Sequence, residues 1–358
     1  MKPFIAAAAL EEGLTTPETM FDCELGSWTV GGRTIRDDHP KGVISVTEVI
    51  KYSSNIGAAK LGFLVGADKL LTYLRDFGFG RSTGLGLPGE VSGSLRTAAN
   101  IRPIELATTS FGQGMTASAV QLAVALSTLA NGGVRMNPYM IDAVLDRDGD
   151  VEMHREPRID RRVISEETAR AITRMMETVA EDGGTGTRAR VPGYRVAGKT
   201  GTAQKVENGV YSATKRVSTF VGFLPSDRPE IAIAVVVDTP TIGSKYGGIV
   251  AAPVFSKVGV FAMRYLGIAP DPVDPEAVVA QAAEPALVAA DLPVELASDG
   301  AGGWILPDLR GHSMRDTLAG LQPAGLQLQV DGYGRLAAQD PAPGAHVLAG
   351  DAVHLRFD

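Results

Sequence analysis

Apolar residues recur at helical spacing through most of the first half of the chain, and a block at strand spacing follows. FIAAAALEEG (residues 4–13) consists of good helix formers closed by a glycine, which reads as a buried helix ending at Gly13. Ser45 and Glu48 form a capping box at the head of the amphipathic run VTEVIKYSSN. IGAAKLGFLVG continues beyond it, and GADKLLTYLRDFGFG ends in glycines. ASAVQLAVALSTLANGG closes on Asn131-Gly132, and Ser165 caps EETARAITRMMETVAEDGG. The period then changes. YRVAGKTGTAQKV, STFVGFLP and IAIAVVVDTP carry β-branched and aromatic residues between Gly, Pro and Asp, close enough in sequence for an antiparallel meander. A last helix, APVFSKVGVFAMRYLG, follows. Helices, then consecutive strands, then a helix predict an α+β domain with helices packed on an antiparallel sheet.

Residues 270–303 break both periods. They are rich in Pro and Ala, contain Asp271, Asp274, Glu276, Glu284, Asp291, Glu295 and Asp299, and have no Lys or Arg, which reads as an acidic linker. Those seven acids match the whole formal charge of −7, so the remainder balances to zero. Without a basic stripe, nucleic acid is not expected as a partner. The five histidines show no metal-ligand spacing, so neither a metal nor another cofactor is expected. Cys23, the single cysteine, cannot form an internal disulfide and does not distinguish compartments. The longest uninterrupted apolar runs, such as IAIAVVV at 231–237, are too short to cross a bilayer as a helix. The N-terminal run fits a signal peptide poorly, because Pro3 interrupts it and Glu11-Glu12 stand where a cleavage site belongs.

Two short strings carry candidate chemistry: Ser53-Ser54-Asn55 at a break between helices, and Lys199 to Thr202 (KTGT) on the first strand of the meander. Each alone is weak, since a turn explains the first and an exposed lysine beside a glycine bulge the second. A third element joins them. Lys2 stands at the head of the first helix, and a serine three residues before it would share its helical face, the Ser-x-x-Lys arrangement.

With these motifs in order, the chain resembles a class B penicillin-binding protein of the cell-division or sporulation type, a peptidoglycan D,D-transpeptidase. MKPFIAAAALEEG, SVTEVIKYSSNIGAAKLG, SFGQGMTASAVQLAVALSTLANGG, VPGYRVAGKTGTAQK, STFVGFLPSDRPEIAIAVVVDTP and GGIVAAPVFSKV stand in family order. The family's helix begins Gly-Ser-Thr-x-Lys, so Met1-Lys2 resembles the last two residues of that string. The resemblance implies that the nucleophilic serine, the membrane anchor and a further domain precede residue 1, and that this chain by itself is inactive. A helix starting at that point is expected to leave Phe4, Ile5 and Leu10 poorly supported. Lys2 is implied as the base, and Lys199 as a second cation that depresses it and attracts a substrate carboxylate. Ser53 and Asn55 are implied as proton relay and amide contact. Thr200 would offer a hydroxyl to the carboxylate, and the Thr202 N–H half an oxyanion hole. Gly201 would let the strand approach the ligand. Implied partners are peptidoglycan stem peptides, lipid-linked precursor strands, β-lactams and cell-division proteins including a glycosyltransferase, at the extracytoplasmic face of the membrane. A serine β-lactamase is disfavoured by the lack of a Glu-x-x-Leu-Asn string. A non-catalytic cell-wall binding protein is the remaining alternative.

The tail resembles a PASTA module in PDLRGHSMRDTLAGL and QDPAPGAHVLAGDAVHLRF. Its own pattern agrees: Ser313 would cap a helix with Met314, Leu318 and Leu321 on one face, and LQLQV and VHLRF alternate as strands. Trp304 and Tyr333 are expected in its core. The expected organisation is a transpeptidase domain over 1–269, linker 270–303 and PASTA domain 304–358.

Overall fold

The computed structural model describes residues 1–270 except 149 and 208–209, and beyond them 294, 296–298, 302–312, 314–332 and 335–357. The chain divides into two compact units, Met1–Pro272 and Val273–Asp358. Most of the acidic linker, with Ser313 and Tyr333, lies outside the described residues.

The first unit contains helices α1 (Lys2–Glu11), α2 (Val46–Lys51), α3 (Asn55–Val65), α4 (Ala67–Asp76), α5 (Pro103–Phe111), α6 (Ala119–Ala130), α7 (Glu166–Glu177), α8 (Gly247–Val250) and α9 (Ala252–Tyr265). The predicted caps are present: Ser45 and Glu48 close a reciprocal box on α2, and Ser165 Oγ accepts the Thr168 N–H at the head of α7. α5 and the box that Ser118 makes with Gln121 on α6 were not expected. Four two-stranded ribbons were not expected either: β1 (Met20–Asp22) with β4 (Val43–Ser45), β2 (Ser27–Val30) with β3 (Arg33–Arg36), β5 (Val134–Met136) with β8 (Ile159–Arg162), and β6 (Ala143–Leu145) with β7 (Val151–His154). Strands of three or four residues are too short to show a period.

The centre of the unit is α1. Pro3 is tolerated in the first turn, where its missing N–H would have had no partner, and the alanines let neighbouring helices approach closely. The expectation of poor support is corrected here: Phe4 and Ile5 are fully buried and Leu10 is half-buried. The Phe4 ring lies 5.0 Å from Phe77 and 5.3 Å from Phe79 in tilted and edge-on contacts. Polar ties fix the other end of α1. Glu11 accepts from the Ser165 N–H and hydroxyl at 2.9 and 2.8 Å, and Glu12 accepts from the Tyr73 hydroxyl at 2.8 Å and from Lys69.

Strands β9 (Ala197–Glu207), β10 (Val210–Leu224) and β11 (Ile231–Asp238) form the expected meander, ordered β11-β10-β9 with β9 at the edge. Strand alternation separates its faces. Ala197, Val221 and Phe223 join the core around α1, while Phe220 and Leu224 join a second core with Phe255 and Met263 of α9. The helical stretch Gly247–Tyr265 is long and apolar enough to cross a bilayer, which the runs of consecutive apolar residues did not reveal. Its Phe255, Gly259, Ala262 and Met263 are buried against the sheet side instead.

In the second unit β12 (Ala297–Ser298), β13 (Trp304–Ile305) and β16 (His346–Val347) form one sheet, and β14 (Gln327–Gly332), β17 (Ala352–Phe357) and β15 (Leu336–Asp340) another, with β14 parallel to β17. Helix α10 (Met314–Leu321) covers a core of Leu306, Leu309, Leu321, Leu336, Val353, Leu355 and Phe357, against which Met314 and Leu318 pack. Trp304 is half-buried and lies outside that core.

Candidate active site

Lys2 and the Ser53-Ser54-Asn55 string, fifty residues apart, meet at the head of α1. Lys2 Nζ donates to Ser53 Oγ at 3.1 Å and to Asn55 Oδ1 at 2.9 Å. Both partners stand at the break between α2 and α3. Ser53 holds a left-handed backbone, φ +61°, which costs a non-glycine residue about 1–3 kcal/mol. Ser54 caps α3, its Oγ accepting the Gly57 N–H at 2.9 Å. The Asn55 amide is oriented by donation from Nδ2 to the Arg36 carbonyl at 2.9 Å, which leaves Oδ1 for Lys2.

Lys199 reaches the same place from the sheet. It pairs with Val221 in the ladder, so alternation puts it on the face that meets the α1 core, and it is 3% exposed. Its Nζ donates to Thr200 Oγ1 and to the Thr200 carbonyl, both at 3.2 Å. Burial and then the nearby charge of Lys2 hold the Lys199 ammonium well below the ordinary lysine range. Lys2 is pushed down to about 8, burial outweighing the charges of Asp37 and Asp38 that raise it. Two lysines therefore converge on the start of α1, where a neutral amine is accessible near physiological pH.

The KTGT residues divide between the two faces of β9. Thr200 and Thr202 alternate toward the other face, although the Thr200 hydroxyl stays within reach of Lys199 Nζ. Thr202 Oγ1 accepts the Gly247 N–H of α8 at 3.0 Å, and Thr200 Oγ1 lies 2.8 Å from Thr185 Oγ1. A Cβ on Gly201 would fall 2.3 Å from Thr219 Oγ1 on β10, so any larger residue would force that hydroxyl to turn away. Asp37 and Thr185 were not singled out in the sequence. Asp37 sits in RDDHPKG, a stretch that reads only as a polar turn, and Thr185 in the Gly-rich EDGGTG. Among the described residues no cluster of three or more His, Cys, Asp or Glu is placed to hold a metal.

Residues 1–259 match the model of the penicillin-binding protein transpeptidase domain, which covers every residue of this site. The chain belongs to the penicillin-binding protein transpeptidase family. Residues 305–358 match the PASTA domain. Similar relatives include the probable peptidoglycan D,D-transpeptidase PenA of Neisseria gonorrhoeae, 37% identical over 75% of this chain, and stage V sporulation protein D of Bacillus subtilis, 38% identical over 74%. The chain spans 44% and 41% of those proteins, less than half of their length. Among solved structures, the transpeptidase domain of Burkholderia pseudomallei penicillin-binding protein 3 is 36% identical with a TM-score of 0.69, covering 76% of this chain and 80% of that one. Penicillin-binding protein 3 of the mycobacterial agent of tuberculosis, solved in complex with aztreonam, is 35% identical with the same TM-score, covering 76% and 62%. In this penicillin-binding transpeptidase fold the helical wall brings Lys2, Ser53 and Asn55 and the sheet brings Lys199.

Proposed function

We propose that the protein serves peptidoglycan cross-linking, transferring the acyl group of a D-Ala-D-Ala stem peptide through a serine, and that β-lactams acylate the same serine. The observation that carries this reading is Lys2 Nζ within hydrogen-bond reach of both Ser53 and Asn55, with Lys199 converging from β9. A serine hydroxyl one turn before Lys2, where the family's Gly-Ser-Thr-x-Lys string puts it, would lose its proton to the neutral Lys2 amine as it attacks the stem carbonyl. Ser53, in contact with Lys2, passes that proton to the departing D-Ala amine, and an amine of a second stem then takes the acyl group. Lys199 and Thr200 attract the terminal carboxylate, and the Thr202 N–H supports the oxyanion. Peptide stems on lipid-linked strands, a partner glycosyltransferase and an extracytoplasmic site at the membrane belong to this proposal, as does the division into transpeptidase domain, linker and PASTA module.

Fluorescent penicillin tests it. A chain carrying Gly-Ser-Thr ahead of Met1 should be labelled at that serine, shown by gel fluorescence and intact mass, whereas residues 1–358 alone should stay unlabelled. A stoichiometric adduct on Ser53 or Ser54 in the shorter chain would overturn the assignment of roles.

A further inference from the structure

We propose that Asp37 is a positioning residue of this site: its buried carboxylate fixes the start of α3, and with it Ser53 and Asn55, against Lys2. The inference concerns the site read above as an acyl-transfer centre, but its test needs no turnover.

Asp37 lies directly after β3 and is 8% exposed. Its Oδ1 accepts the N–H groups of Asn55 at 2.5 Å and Ile56 at 3.1 Å, and its Oδ2 accepts the Ser54 hydroxyl at 2.6 Å. Ser54 already caps α3 through Gly57, so capping alone does not call for a second, charged acceptor at the same helix start. Burying a carboxylate is unfavourable unless hydrogen bonds and a cation offset it. Three donors supply the bonds. The charge of Asp37, more than that of exposed Asp38, favours the protonated form of Lys2. The same loop acts twice, because the Arg36 carbonyl orients the Asn55 amide while Asp37 holds the Asn55 backbone. Ser53, left-handed and immediately before the residues so held, cannot relax without moving them. The titratable groups that act on Lys2 are Asp37 and Asp38 from this loop and Lys199 from β9.

The experiment follows the Nζ signal of Lys2 by NMR in lysine-labelled full chain, assigned with Lys2→Arg, through a pH titration. Asp37→Asn removes the anion and should lower the Lys2 midpoint by about one pH unit or more, the usual scale for a close opposite charge. Asp38→Asn, which removes an exposed charge, should lower it by less. Ser54→Ala keeps the Asp37 charge and its two backbone bonds and should leave the midpoint within a few tenths. An unchanged midpoint in Asp37→Asn, or an equal shift in Ser54→Ala, overturns the proposal. If Asp37→Asn does not fold, adding Lys2→Met should restore a cooperative melt, since the unpaired buried ammonium is then gone. No rescue also overturns it. Failure of penicillin labelling with an intact Lys2 shift would count against the acyl-transfer reading alone.

Discussion

The helical wall of the site and its strand wall solve the same problem, a buried lysine, in different ways. On the helical wall Lys2 has two side-chain acceptors, two carboxylates nearby and a helix tied at its far end through Glu11 and Glu12. On the strand wall Lys199 has the hydroxyl and carbonyl of its own neighbour Thr200 and no carboxylate among the groups that shift it. Both are held below the ordinary lysine range, but only at the first do carboxylates oppose the effect of burial. Burial alone does not tune a lysine; the anions left beside it decide how far it falls.

The comparison breaks most visibly in catalysis. In the serine-extended chain, Lys2→Ala or Lys199→Ala should reduce fluorescent-penicillin labelling by a hundredfold or more, the scale of losing a positioned general base or charge. Near-normal labelling in either variant would remove that wall from the chemistry. The packing beneath the helical wall comes next. Phe4→Ala should destabilise the domain by about 3–5 kcal/mol, read by chemical denaturation, because the ring is fully buried between Phe77 and Phe79. A loss below 1 kcal/mol would mean that α1 is not the core helix.

A smaller effect separates the walls by pH. Lys2 in the folded chain is held at about 8, below the ordinary lysine value of 10.5. Between pH 8 and 10.5 the unfolded chain thus holds more protons, and stability gains with rising pH. Relative to Lys2→Met, the native chain should gain about 3 kcal/mol across that window, and denaturation at paired pH values measures it. A flat difference would show that Lys2 is not held down. The smallest effect belongs to the strand wall: Thr185→Val, which removes the 2.8 Å contact with Thr200, should cost about 1 kcal/mol and leave the Lys2 titration unmoved.

Much of the frame was legible because it rests on local physics. Ser45 and Ser165 announce helix starts through the bonds they make within four residues, and the alternation in IAIAVVVD announces a strand regardless of what packs on it. Lys2, Ser53, Asn55 and Lys199 were legible as types at motif spacing. The sequence did not show that β9 turns Lys199 toward α1 while Thr200 and Thr202 face α8, because strand register is set by β10 and by the two cores on either side.

Helix α1 shows the limit from the other direction. Its sequence alone predicts poor support; in the fold Phe77 and Phe79, more than seventy residues away, close over Phe4. Asp37 shows it again. By itself the sequence determined which segments are helix or strand and which residue types could do acyl-transfer chemistry, since propensity, capping and period act over a few residues. The tertiary structure alone decided that Asp37 leaves its polar turn to hold the start of α3, and how the anions around Lys2 set its proton affinity. Burial and charge–charge energies depend on distances between parts of the chain that no local pattern encodes.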